Sequence, residues 1–245
     1  MTQSDAHNQP SSAPVSDNVV RLALFAVGLG TMLAPLNSTM IAVAMPEIID
    51  QFNSNIGTAS WLVTAYLISM AALQPLGGKL GDTFGRRRLV LGGMMGFALS
   101  SLGAALAPSL WPLIGFRVLQ AASAAIMVPN TSAIVRELVP EHRRARTFGL
   151  LGAAIAVAAA AGPPVGGFIV EFAGWRSIFA VNIFLLVPAL ALAWRSLPQS
   201  EIPDAGRKID LMGAVLLPAT LVGATSVLIG VGRGVPFVPL AIGGL

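Results

Sequence analysis

Long apolar stretches recur along this chain at about 19–45, 58–77, 89–107, 110–135, 147–170, 177–197 and 211–231. Each is near the ~20 residues a helix needs to cross ~30 Å of hydrocarbon. Lipid offers no partner to open backbone N–H and C=O groups, so such segments span the membrane as helices. The expected fold is therefore all-α, a polytopic membrane protein. Composition agrees, because 55% of the 245 residues are hydrophobic and 11% are charged, against about 25% charged in soluble domains.

The polar stretches divide the chain. Residues 1–18 are rich in Ser, Asn, Gln, Asp and Pro and lack apolar periodicity, the mark of a disordered tail. Residues 19–197 hold six spans, 198–210 form a polar linker, and 211–231 form a seventh span. Residues 235–245 begin an eighth apolar run that covers only about 16 Å as a helix. The chain is thus expected to be cut short. A cleaved signal peptide ending at Ala42-Val43-Ala44 is the weaker reading of the first segment, since Asp5 and Asp17 precede it with no base before Arg21.

Charge sets the orientation. The loops expected at 78–88 and 136–146 carry Lys79, Arg86, Arg87, Arg88, Arg136, Arg143, Arg144 and Arg146, and 195–210 adds Arg195, Arg207 and Lys208. The loops expected at 46–57, 108–109, 171–176 and 232–235 carry only Arg176 and Arg233. Basic loops face the cytoplasm, which places the N-terminus inside, in a cell (inner) membrane. The net charge of +4 belongs to these flanks. Loops this short cannot build a basic groove, so a nucleic-acid partner is excluded.

Three stretches carry chemistry. Gly78-Lys79-Leu80-Gly81-Asp82-Thr83-Phe84-Gly85-Arg86-Arg87-Arg88 joins the second and third spans. Its glycines suit a tight turn, Asp82 can accept from a helix N-terminus or pair with an arginine, and plain positive-inside decoration is the bland alternative. Arg117 is the one charge inside the membrane away from the span ends, and an arginine at mid-membrane costs roughly 2.5–3.5 kcal/mol. It should face a cavity, with Gln120 one turn on; an arginine snorkelling outward is the alternative. Gly162-Pro163-Pro164-Val165-Gly166-Gly167 combines a helix-kinking element with residues that let helices approach. A plain kink is the alternative there.

The Gly78–Arg88 stretch resembles the signature loop of the major facilitator superfamily. Leu36-Asn37-Ser38-Thr39 through Pro46, Trp61 through Tyr66, and Trp175-Arg176-Ser177-Ile178-Phe179 with Asn182 are similar to motifs of its fourteen-span drug:proton antiporter branch. The resemblance implies a fold of two six-helix bundles, of which this chain holds the N-terminal one. It implies that Asp82, with Gly78, Gly85, Arg86 and Arg87, forms a cytoplasmic gate loop docking on the second bundle. Asn37, Trp61, Tyr66, Arg117 and Gln120 are the implied substrate and coupling cavity, and Gly162, Pro163, Gly166 and Gly167 an antiporter-like hinge.

Departures from the pattern matter. Ala121 and Ala158 stand where the family usually has glycine, and Asn37 where related drug antiporters carry aspartate. Asparagine hydrogen-bonds but does not titrate. Either proton coupling rests on acids in a missing C-terminal half, or it is lost or changed. The expected function is export of amphipathic small molecules by proton antiport in the full-length form, with the short chain transport-incompetent alone. A non-transporting subunit assembling with a second polypeptide, and a uniporter or symporter of another solute, are the alternatives. No cofactor is expected. With no cysteine, with His7 and His142 in polar stretches, and with no nucleophile–base pair or phosphate-cradling loop, neither a metal site nor an enzyme is indicated.

Overall fold

The computed structural model describes residues 17–198 together with 220 and 223. The tail before Asp17, the linker beyond residue 198, and the seventh and eighth segments apart from 220 and 223 lie outside the described residues. The helices are α1 (Asp17–Gln51), α2 (Ile56–Ala59), α3 (Trp61–Phe84), α4 (Arg86–Ala105), α5 (Leu110–Leu138), α6 (Glu141–Ala173) and α7 (Arg176–Ser196). No strand occurs among the described residues. All but the single-turn α2, which runs into α3, are long and apolar enough to cross a membrane.

The helices overrun the hydrocarbon. At 35 residues, α1 is ~50 Å long, and charged residues at its end stay helical because elongation satisfies one more backbone pair per residue. This corrects the loops expected at 78–88, 136–146 and 46–57. Residues 78–84 belong to α3, 86–88 to α4, 136–138 to α5, 141–146 to α6 and 46–51 to α1. The turn between α3 and α4 is Gly85 alone, at φ 92° and ψ 126°. That region favours glycine, whereas Gly78 and Gly81 are ordinary helical residues.

Six spanning helices form two triplets, α1-α3-α4 and α5-α6-α7, that pack crosswise. The first helix of each triplet lies on the second and third of the other, α1 on α6 and α7 and α5 on α3 and α4, while the third helices α4 and α7 meet each other. Exchange of this kind is what two similar three-helix repeats related by a pseudo-two-fold axis produce. The second helices, α3 and α6, are the least covered of the six.

Between hydrocarbon-soluble helices the hydrophobic effect supplies little, so close backbone approach decides association. Two small-residue stripes supply it. Ala158, Gly162 and Gly166 are buried on one face of α6. A Cβ at Gly162 would run into the Thr39 side chain, and one at Gly166 would lie 3.0 Å from the Met40 Cα. Gly77 and Gly81 play the same part for α3 against α5, where Asn130 Nδ2 donates to the Gly77 carbonyl at 2.8 Å.

The apolar interior is in two parts. One, nearer the arginine-rich end, contains Leu33 and Ala34 of α1, Phe97 of α4, Ala124 of α5 and Leu186 of α7. The other contains Met40 and Ile41, Ala104, Leu113 and Ile114, and Phe179 on the same four helices. Between them each helix contributes buried polar groups: Asn37, Ser101, Arg117 with Gln120, and Asn182. The bundle is divided across its middle by a polar layer.

Candidate functional site

Arg117 is fully buried, so the snorkelling alternative does not hold. Its Nε donates to the Leu62 carbonyl at 3.1 Å and its Nη1 to Gln120 Oε1 at 3.0 Å. Its Cζ stands 4.2 Å from the centroid of the Tyr66 ring, a cation–π contact worth about 2 kcal/mol or more when desolvated. The Tyr66 hydroxyl donates to the Ala34 carbonyl at 3.4 Å.

Gln120 is the branch point. Its Oε1 also accepts from Asn37 Nδ2 at 3.5 Å, and its Nε2 donates to Ser101 Oγ at 2.7 Å. Asn37 Oδ1 accepts in turn from Asn182 Nδ2 at 2.9 Å. A continuous polar chain thus runs from α7 through α1 and α5 to α3, with a side branch to α4. The Gln120 and Asn37 amides are oriented, each oxygen accepting from a neighbour's N–H. Within this cluster two buried atoms have no hydrogen-bond partner among the described residues, Arg117 Nη2 and Asn182 Oδ1.

Among the described residues, no carboxylate belongs to this hydrogen-bonded network. The ion pairs among the described residues both use Arg86, at the bundle's end. An asparagine at position 37 is what the wiring accommodates. A carboxylate there would turn a second oxygen toward Gln120 Oε1, replacing a donor–acceptor contact with a repulsive one.

Beside the chain lies a cavity of about 380 Å³. Its walls come from α1 (Ala34, Pro35, Ser38), α3 (Tyr66, Met70), α5 (Val128) and α6 (Ile155), the helices around the pseudo-two-fold axis. No charged side chain lines it. Tyr66 belongs to both features, as cavity wall and as cover of the guanidinium.

The five candidate cavity residues are therefore not equivalent. Asn37, Tyr66, Arg117 and Gln120 come together, whereas Trp61 stands at the first turn of α3 and is 41% exposed. Ser101 and Asn182 join the cluster without having been singled out as site residues. The signal was present, since each is a buried polar residue in an apolar span, but serine and asparagine that bond within their own helix look the same in a sequence.

At the arginine-rich end, Arg86 bridges α3 and α5. Its Nη2 pairs with Asp82 Oδ1 at 3.0 Å and its Nη1 with Glu137. Arg87 Nη2 donates to the Trp194 carbonyl of α7 at 2.6 Å. Gly78 and Gly85 flank this knot, and Gly85 is buried. On the opposite end, Arg176 ties α7 to Gln51 Oε1 at 2.8 Å and to the Ala107 carbonyl at 3.1 Å. In the expected hinge, Gly162 and Gly166 face α1, a Cβ at Gly167 would meet Val43 Cγ1 at ordinary contact distance, and Pro163 is exposed on another face of α6.

Residues 27–242 match the family model described as Major Facilitator Superfamily. The chain belongs to the major facilitator superfamily. Within it, the chain is 43% identical over 194 residues to the uncharacterized MFS-type transporter YvkA of Bacillus subtilis (strain 168), covering 79% of this chain and 44% of that one. It is 32% identical over 198 residues to the tetracenomycin C resistance and export protein of Streptomyces glaucescens, covering 81% and 37%. The fold matches a crystal structure of a POT family transporter in complex with 5-aminolevulinic acid, with TM-score 0.68 and 16% identity over 89% of this chain and 47% of that one. The chain spans less than half the length of the curated relatives it matches. The expected all-α fold of apolar spans, and the family, are thus found.

Proposed function

We propose that these helices form one wall of an alternating-access exporter of amphipathic small molecules, driven in its full-length form by proton antiport. The observation that carries the reading is the apolar cavity bounded by Tyr66, with the buried Arg117–Gln120–Asn37–Asn182 chain directly behind it. Concave apolar walls with a few convergent polar groups are the usual form of a small-molecule site. The open face of α1, α3 and α6 suits a second, opposing bundle. Similarity to a protein named for resistance and export supports the direction of transport.

In this reading the protein is multi-pass in the cell (inner) membrane with the N-terminus cytoplasmic, as the basic flanks at Arg86–Arg88 and Arg143–Arg146 suggest. The Gly85 turn with Asp82, Arg86 and Arg87 is the cytoplasmic gate, and the Gly162–Gly167 face of α6 is the hinge. Asn37 cannot carry the proton, so the titrating acid lies outside the described cluster.

Transport is tested in inverted membrane vesicles carrying the protein, under an imposed pH gradient and with fluorescent amphiphiles of each charge type. Uptake that follows the gradient and is lost in Arg117→Gln supports the proposal. Equal uptake by vesicles with and without the protein would overturn it.

A further inference from the structure

We infer that the cavity selects acidic amphiphiles, aromatic or aliphatic compounds bearing a carboxylate or similar anion, over lipophilic cations. This deepens the transport proposal and rests on it. The buried charge beside the cavity is a guanidinium, which stays protonated in proteins. It is fully buried and, among the described residues, has no carboxylate within bonding distance and keeps one donor, Nη2, without a partner. Its contacts are neutral: the Leu62 carbonyl, the Gln120 amide and the Tyr66 ring.

An uncompensated positive charge in a low-dielectric setting acts over longer range than the same charge in water. The cavity lies one aromatic ring away, through Tyr66, and has no charged side chain of its own to oppose that field. A cation entering it meets repulsion with nothing to offset it, whereas an anion meets attraction and, if the Tyr66 ring turns aside, a free guanidinium donor. Arginine is also the side chain whose planar fork fits a carboxylate. Asn37 completes the argument. Were it aspartate, the same chain would hold an acid within reach of Arg117 through the Gln120 position, and the charge would be neutralised internally. The asparagine leaves the positive charge available to a ligand.

The test uses the protein in phosphatidylcholine nanodiscs, with equilibrium dialysis of three isosteric radiolabelled probes: 2-naphthoate, 2-naphthamide and 2-naphthylmethylammonium. Empty nanodiscs correct for partitioning into lipid. The expected order is naphthoate tightest, amide intermediate and ammonium weakest, with naphthoate ahead of ammonium by about ten-fold or more. Asn37→Asp should shrink that ratio to about three-fold or less, and so should Arg117→Gln. The first variant preserves shape, so it answers the question even where loss of the buried arginine prevents folding. Equal or tighter binding of the ammonium probe, or an unchanged preference in a folded Asn37→Asp protein, would overturn the charge selection and leave the cavity reading standing. No binding of any probe would overturn both.

Discussion

Asn182 on α7 donates its side-chain amide to the carbonyl oxygen of Asn37 on α1 at 2.9 Å, in a part of the bundle that no solvent reaches. This bond fixes which way Asn37 points, and through it which group Asn37 turns toward Gln120. Replacing Asn182 with alanine leaves an acceptor buried and unpaired, at a cost of about 1–3 kcal/mol. The Asn182→Ala protein should melt at a lower temperature than the wild type in detergent, as read by intrinsic fluorescence. An unchanged melting temperature would mean the contact carries no stability.

Asn37→Asp is predicted to alter transport rather than abolish folding. The acid adds a carboxylate to a buried cluster that has none among the described residues, so the pH dependence of uptake in vesicles should change shape. Overlapping profiles for the two proteins would show that position 37 lies outside the coupling machinery.

Arg117→Lys keeps the charge and loses the fork. A lysine ammonium on a flexible stem does not reproduce the planar geometry that reaches the Leu62 carbonyl and Gln120 together over the Tyr66 ring. Transport should fall by about ten-fold or more, the equivalent of ~1.4 kcal/mol, with membrane levels maintained on an immunoblot. Wild-type rates in the lysine protein would reduce Arg117 to a generic positive charge.

Gly162→Val should be strongly destabilising, by about 1–3 kcal/mol, because its side chain has to displace Thr39 at the α1–α6 contact. Gly152→Ala on the same helix meets nothing within 4 Å and should change stability by no more than about 0.5 kcal/mol. Thermal unfolding of the pair separates a packing role for the Gly162 face from a general intolerance of α6 to substitution.

The chain contains no cysteine, so single cysteines report topology without a background. Ile56, 76% exposed at α2, and Arg88, exposed at the start of α4, lie at opposite ends of the α3 span. In intact cells a membrane-impermeant maleimide should label Ile56→Cys and spare Arg88→Cys until the membrane is opened. The reverse pattern would invert the proposed orientation.

The spans were legible because hydrocarbon thickness imposes a length that composition alone reveals. Their ends were not, because nothing in lipid transfer stops a helix at the interface. Lys79 and Asp82 read as loop residues, yet they continue α3 up to Gly85, where the backbone takes a positive φ. Arg117 and Gln120 could be picked out because a charge in an apolar run has few innocent explanations. Asn182 and Ser101 could not be ranked above Ser100 or Thr31, since Ser101, Ser100 and Thr31 all donate to carbonyls of their own helices. Only the three-dimensional register shows which of these polar groups fall at the same depth. Trp61 stands apart from these. An aromatic ring in a recognisable motif marked the right helix, but its place on the first turn leaves it substantially exposed.

Because α1 finds its main partners in α6 and α7, the first of these six spans to leave the ribosome waits longest for its neighbours. During synthesis Asn37 Oδ1 and the groove that receives Gly162 stay uncovered, in lipid or against the insertion machinery, until the fifth and sixth spans arrive. α5, by contrast, emerges to find α3 and α4 already in place. Assembly of the bundle therefore ends at α1, and a variant that loosens the α1–α6 seam would show itself first as a nascent protein retained by quality control.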